Sequence, residues 1–166
     1  MAALSACAAD DEPAAGPPPA TKFTRNGVTV ELSVAEWKAP NGTLKVTFTP
    51  TDDGFHLYST DLPEDGVEGV GRPTVIALGG AITATEEPTA SSDVRNISVP
   101  GVKSTVAVYP DGPVTLTVPI HAEGTGKAAA LLTYASCSSS EGCTLPVESH
   151  PVAMHVTDDE VAFGGR

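Results

Sequence analysis

The sequence predicts an all-β protein, an immunoglobulin-like antiparallel β-sandwich, and three observations predict it. Gly (16) and Pro (15) are frequent and spread along the 166 residues, a distribution that interrupts long helices and suits short strands joined by turns. Val and Thr, which favour pleated, half-buried positions, are abundant. From Phe23 onward, apolar and polar residues alternate in short runs separated by turn residues.

The runs follow in order. Residues 28–34 (VTVELSV) alternate as a strand does. Asn41-Gly42 signals a turn into the alternating run 44–48, and Asp52-Asp53-Gly54 turns the chain into residues 55–58 (FHLY). Residues 65–73 form a glycine-rich loop. Residues 74–78 are a continuous apolar run, Gly79-Gly80 breaks it, and residues 82–85 and 94–99 are shorter strand candidates. Residues 105–109 alternate, Pro110-Asp111-Gly112 turns, and residues 114–120 (VTLTVPI) alternate again. Residues 127–135 (KAAALLTYA) have helical propensity but are assigned as strand, because a matching partner, residues 147–156, follows a tight Ser/Gly-rich loop. Pro151 within that partner implies an edge position or a bulge. About nine strands and no clear helix imply two packed antiparallel sheets.

Composition narrows the function. The net charge of −12 repels phosphate backbones, so nucleic acid is not an expected partner. No apolar run approaches the ~18 residues of a membrane helix. Residues 4–7 (LSAC) resemble a lipobox in which Cys7 is acylated. The basic and apolar regions of an export signal do not precede it, so the expectation is a shortened leader or a start further upstream, the plainer alternative being an Ala-rich segment with a chance cysteine. Residues 8–22 (AADDEPAAGPPPATK) read as an extended Pro/Ala-rich tether. The expected layout is a lipobox and tether over 1–22, a sandwich over 23–157 and a loose tail over 158–166. The chain is expected to be an exported monomer, bacterial and periplasmic or cell-surface, touching the membrane only through a lipid on Cys7.

The chemistry-bearing feature is a cysteine pair. Cys137 and Cys143 are separated by SSSEG. If the flanking runs form a hairpin, the two face each other across it. In a non-hydrogen-bonded pair their Cα atoms lie ~4.5 Å apart, within reach of a disulfide. The bond would close a loop of only about seven residues, worth roughly 2.4 kcal/mol. That small structural return and the accessibility of a hairpin tip favour thiol–disulfide exchange. The plainer reading is an inert staple in an exported protein, and nothing nearby in sequence except Lys127 favours a thiolate.

The segment LLTYASCSSSEGCTLPVESHPVAMHV resembles the N-terminal periplasmic domain of DsbD, the thiol:disulfide interchange protein. The likeness rests on Tyr134 ahead of the first cysteine, on Cys137 and Cys143, on Pro146 and on the closing strand. VYPDGPVTLTVPI (108–120) and GFHLYSTDLPEDGVEGVGRPTV (54–75) are similar to earlier strands of that domain. The resemblance implies an immunoglobulin-like domain that takes electrons from a membrane thiol reductant and passes them to exported client proteins. It implies that Cys143 attacks and Cys137 resolves, with Tyr134 and Pro146 matching beside them and no metal or organic cofactor; Tyr58 and Tyr134 are expected either to flank and support the cysteines or to pack the sandwich. The family's aromatic cap loop is replaced here by NISVPGVKS (96–104). Shielding is therefore expected from Val102 or Pro100, or is absent.

Other candidates are weaker. His56, His121, His150 and His155 with Met154 would suit copper only if they converged. The acidic clusters at 52–53 and 158–160 lack the spacing of a calcium loop. Gly66, Gly69 and Gly71 precede no helix and no Lys and so form no phosphate loop. Trp37 is expected in the core. The competing function is a binding or structural lipoprotein domain with an inert hairpin disulfide, which fold alone does not separate from exchange.

Overall fold

The computed structural model describes residues 16–165, all in strands, turns and loops. Residues 1–15, and with them Cys7, lie outside the described residues.

The larger sheet is built from β1 (Ala20–Arg25), β2 (Val28–Lys38), β3 (Asn41–Pro50), β10 (Val114–Ala122) and β6 (Ile82–Ala84), in that order, with β7 (Thr89–Ala90) also on β10. Alternation decides its inner face: Val28, Val30, Leu32 and Val34 of β2 point inward with Leu44, Val46 and Phe48 of β3 and Leu116, Val118 and Ile120 of β10. The opposing sheet runs β15 (Val161–Phe163), β14 (Val147–Val156), β11 (Gly126–Tyr134), β5 (Val75–Gly80). It contributes Ala130, Leu132, Tyr134, Val152, Met154 and Val156 to the same core. All pairings are antiparallel.

Two small assemblies sit at one end of this sandwich. One is the three-stranded sheet β13 (Gly142–Cys143), β12 (Ser136–Ser138), β4 (Phe55–Leu57); the other is the hairpin β8 (Arg95–Ile97), β9 (Val106–Val108). A bridge between Tyr58 and Val108 joins them. Their side chains form a second cluster of Tyr58, Leu62, Val106, Val108, Ala135 and Cys137, distinct from the main core.

The boundaries differ from the sequence reading at both ends. β1 begins at Ala20, inside the expected tether, because Asn26-Gly27 (φ 48° and 73°) makes a two-residue hairpin turn that folds this segment onto β2. The tail is not loose: Val161 is fully buried and β15 pairs with the end of β14. Pro151 lies where β14 has no outer neighbour, since β15 reaches only Met154–Val156. The irregularity falls just before it, at Ser149 (φ 49°).

Candidate functional site

β11 and β12 are nearly continuous, and the break between them builds the site. Up to Tyr134 the chain belongs to the large sheet; from Ser136 it leaves that sheet and pairs with β4. Residues 134–137 are all buried as the chain passes from the main core to the second cluster. Cys137 then stands between two partners, Cys143 of β13 on one side and His56 of β4 on the other. The cysteines are bonded, with Cα atoms 4.0 Å apart. Thr144 clamps the base of the hairpin: its N–H donates to the Ser136 carbonyl (2.8 Å), and its Oγ1 accepts from the Ser136 N–H (3.2 Å). At the tip, Ser138 Oγ accepts the N–H groups of Ser140 and Glu141 (both 3.3 Å).

The two sulfurs are not equivalent. Cys137 is 5% exposed, whereas Cys143 is exposed. A partner arriving from solvent therefore meets Cys143 first, and Cys137 is left as the inner sulfur.

Tyr58 supplies a donor to both. Its hydroxyl lies 2.7 Å from Cys137 Sγ and 3.6 Å from Cys143 Sγ. Burial pushes its pKa above the ordinary value, so it stays a neutral phenol and donates its O–H to sulfur. The ring is wedged by Gly71, which has φ +85°; a Cβ there would meet Tyr58 Cε1 at 2.7 Å. Only a residue without a side chain lets the glycine-rich loop close over the ring.

His56 sits beside Tyr58, their rings edge to face with centroids 6.2 Å apart. It is 1% exposed. Its Nδ1 is 3.1 Å from Asp111 Oδ1, which also accepts from Arg95 Nη2 at 2.6 Å. Its Nε2 is buried with no hydrogen-bond partner among the described residues. Burial lowers the imidazole pKa, opposed by the hydrogen bond and charge of Asp111 and reinforced by Arg95. Sequence reasoning considered His56 only as a metal ligand. The run FHLY places it two residues before Tyr58 on the same side of the strand, which was the signal available.

A cavity of about 220 Å³ lies over the disulfide. Its floor is His56, Tyr58, Cys137 and Cys143; Ile97 at the end of β8 and Val99 and Pro100 of the loop that follows form its roof. The shield expected from Val102 or Pro100 is thus present and aliphatic. Pro100 roofs the cavity, while Val102 packs beneath the loop on the second cluster. Glu68 Oε2 pins this loop by accepting the N–H groups of Lys103 (2.6 Å) and Ser104 (3.4 Å).

The other expected residues fall elsewhere. Tyr134 does not flank the cysteines. It packs in the main core against Phe48 (5.4 Å between centroids), and its hydroxyl donates to the Arg25 carbonyl at 3.5 Å. Burial pushes its pKa up to about 12. Pro146 is exposed, and its carbonyl accepts from Asn26 Nδ2 at 3.3 Å, which ties the segment after the hairpin to the β1–β2 turn. The other histidines are dispersed: His121 bonds Asn41, His150 stacks on Phe23, and Met154 is buried in the main core. A larger groove of about 590 Å³, spanned by the Arg72–Glu148 ion pair, lies along β5 and β11 and contains no cysteine.

The fold is an immunoglobulin-like antiparallel sandwich that carries a hairpin disulfide at one end. The chain is similar in structure to the N-terminal periplasmic domain of ScsB from Proteus mirabilis, with TM-score 0.58 and 12% identity over 89% of this chain and 54% of that one. It is also similar to the DsbD N-terminal domain of Neisseria meningitidis in its reduced form, with TM-score 0.51 and 17% identity over 84% of this chain and 91% of that one. The chain spans about half the length of the ScsB structure it matches. No family model and no curated protein matches the sequence. The expected fold is borne out; at these identities the likeness establishes the fold.

Proposed function

We propose that this protein is an exported thiol–disulfide exchange module working through Cys137 and Cys143. The observation that carries the reading is the asymmetry of the pair: an exposed Cys143 bonded to a buried Cys137 whose sulfur receives the Tyr58 hydroxyl. In the reducing direction a thiolate of a membrane reductant attacks Cys143 Sγ. The Cys137–Cys143 bond breaks, Cys137 leaves with the electron pair, and Tyr58 stabilises the buried thiolate. A second thiol of the reductant then releases Cys143. In the delivering direction the Cys143 thiolate attacks a client disulfide and Cys137 resolves the mixed disulfide. No metal or organic cofactor takes part. The two solved relatives in fold are described as N-terminal domains of DsbD and ScsB, the latter periplasmic, which supports the same compartment here. A lipid on Cys7 and a tether reaching to β1 would hold the module at the membrane.

The reduction potential of the pair tests this reading against the inert staple. Equilibration in graded glutathione buffers is expected to give a value between roughly −120 and −270 mV. A bond that stays oxidised below about −300 mV marks a staple and refutes exchange. In Cys137→Ala the attacking thiol has no resolving partner, and client proteins are expected to accumulate as mixed disulfides on Cys143.

A further inference from the structure

We propose that His56 is the acid–base partner of Cys137, taking the proton of its thiol when a mixed disulfide is resolved and returning it when the disulfide is reduced. The inference deepens the exchange reading and rests on it. Cys137 is the inner cysteine, 5% exposed at the floor of the cavity over the disulfide. A thiol of ordinary acidity, near ~8.5, is only a few per cent thiolate at neutral pH. Resolution by Cys137 therefore needs a nearby base, and four observations converge on His56.

The residue is directly opposite Cys137 in the antiparallel β4–β12 pair, where Cβ atoms lie ~4.5–5.5 Å apart. His56 lines the same cavity as Cys137 and Cys143. Among the described residues its buried Nε2 has no hydrogen-bond partner, Cys137 Sγ of the closed disulfide included, so its lone pair is uncommitted until the bond opens. Its Nδ1 faces the Asp111 carboxylate. A carboxylate only accepts, so Nδ1 carries the hydrogen and the neutral imidazole presents a lone pair at Nε2. Asp111 is in turn held by Arg95. Burial, Asp111 in the β9–β10 turn and Arg95 on β8 set the charge state of His56; the other titratable groups facing it are Tyr58, just after β4, and the two cysteines.

The step balances as follows. The Cys143 thiolate attacks an external disulfide and one external thiolate leaves. Cys137 Sγ gives its proton to His56 Nε2, and the resulting thiolate attacks Cys143 Sγ. The Cys137–Cys143 bond forms, the mixed disulfide breaks, and the second external thiolate leaves with the electron pair. The protein loses two electrons, the external disulfide gains two, and the imidazolium, paired with Asp111, later releases its proton to solvent.

The test uses reduced protein and one equivalent of dithio-bis-nitrobenzoate, with release of thionitrobenzoate followed by absorbance from pH 5 to 9. The first release reports Cys143, the second Cys137. In the wild type the second rate is expected to level off in the histidine range, below the ordinary thiol range. In His56→Gln it is expected to fall at least about tenfold at pH 6.5 and to climb only with the thiol's own titration at higher pH, with the first release unchanged. Asp111→Asn, at a half-exposed carboxylate, is expected to move the wild-type midpoint to lower pH. It reads the same link should the Gln variant unfold. Second-release profiles of either folded variant that superimpose on the wild type overturn the role of His56 while leaving exchange intact. A wild-type protein that gives no first release overturns exchange itself.

Discussion

Reducing the Cys137–Cys143 bond should cost this domain little stability, and the amount follows from the loop it closes. The cysteines are 6 positions apart, so the cross-link constrains a loop of about seven residues in the unfolded chain. The chain-entropy relation then gives roughly −8 cal/mol/K, or ~2.4 kcal/mol at 25 °C. The main core does not depend on the bond: its side chains come from β2, β3, β10, β11 and β14, and Cys137 belongs to the smaller cluster. The expected result is a reduced protein that remains folded, with its urea midpoint lowered by about 1 M at a typical slope. By the same cycle, folding should lower the reduction potential of the pair by roughly 50 mV relative to the unfolded chain, since 30 mV corresponds to about 1.4 kcal/mol. Paired urea melts of oxidised and reduced protein, read by far-UV circular dichroism, measure both quantities. Unfolding on reduction, or a loss beyond about 5 kcal/mol, would refute the reasoning. It would show a fold that needs the staple, which no module that cycles between two redox states can do.

Three further perturbations probe the surroundings of the pair. Tyr58→Phe removes the hydroxyl that lies 2.7 Å from Cys137 Sγ. A charge-assisted bond is worth about 1.5–3 kcal/mol, so without it the Cys137 thiolate should form less readily and its alkylation should move to higher pH. The pH dependence of alkylation in a Cys143→Ala background measures this, and an unchanged value would refute the contact's role. Glu68→Ala deletes the acceptor of two backbone N–H groups in the loop roofing the cavity. At about 1 kcal/mol for exposed bonds, the loop should open about fivefold more often, and reduction of the disulfide by dithiothreitol should quicken accordingly; equal rates would mean that the loop does not limit access. His56 supplies a pH signature. Burial holds its folded pKa below the ordinary 6.5 despite Asp111, so the unfolded chain takes up this proton first as pH falls. Stability is then full above about 6.5 and declines below it until the folded value is reached. In His56→Gln the fall in melting temperature between pH 7 and 5 should be shallower, the residue of it including His150, which burial and Arg25 also hold low. Parallel curves would count against the assignment.

The sequence by itself determined the strand content and the cysteine pairing, because both are short-range matters. Alternation of period two specifies which side chains a strand buries, and β2, β3, β10 and β14 follow it. A hairpin of five intervening residues brings Cys137 opposite Cys143 without reference to the rest of the chain. Where local composition pointed the other way, the reading failed: a Pro/Ala-rich segment runs into β1, and the short apolar run of β15 follows three acidic residues. What only the tertiary structure decided is which residues face the sulfurs. Tyr134 is three positions from Cys137 yet turns into the main core, because the chain changes sheets between them. Tyr58, 79 positions away, reaches the sulfur through the β4–β12 pairing. Asp111 and Arg95 meet His56 only because β9 bridges to Tyr58 and β8 pairs with β9. Alternation says that a side chain is buried, not in which of two clusters. That choice depends on long-range strand pairing and on where the chain bends from one sheet to another, and neither leaves a local mark in the order of residues.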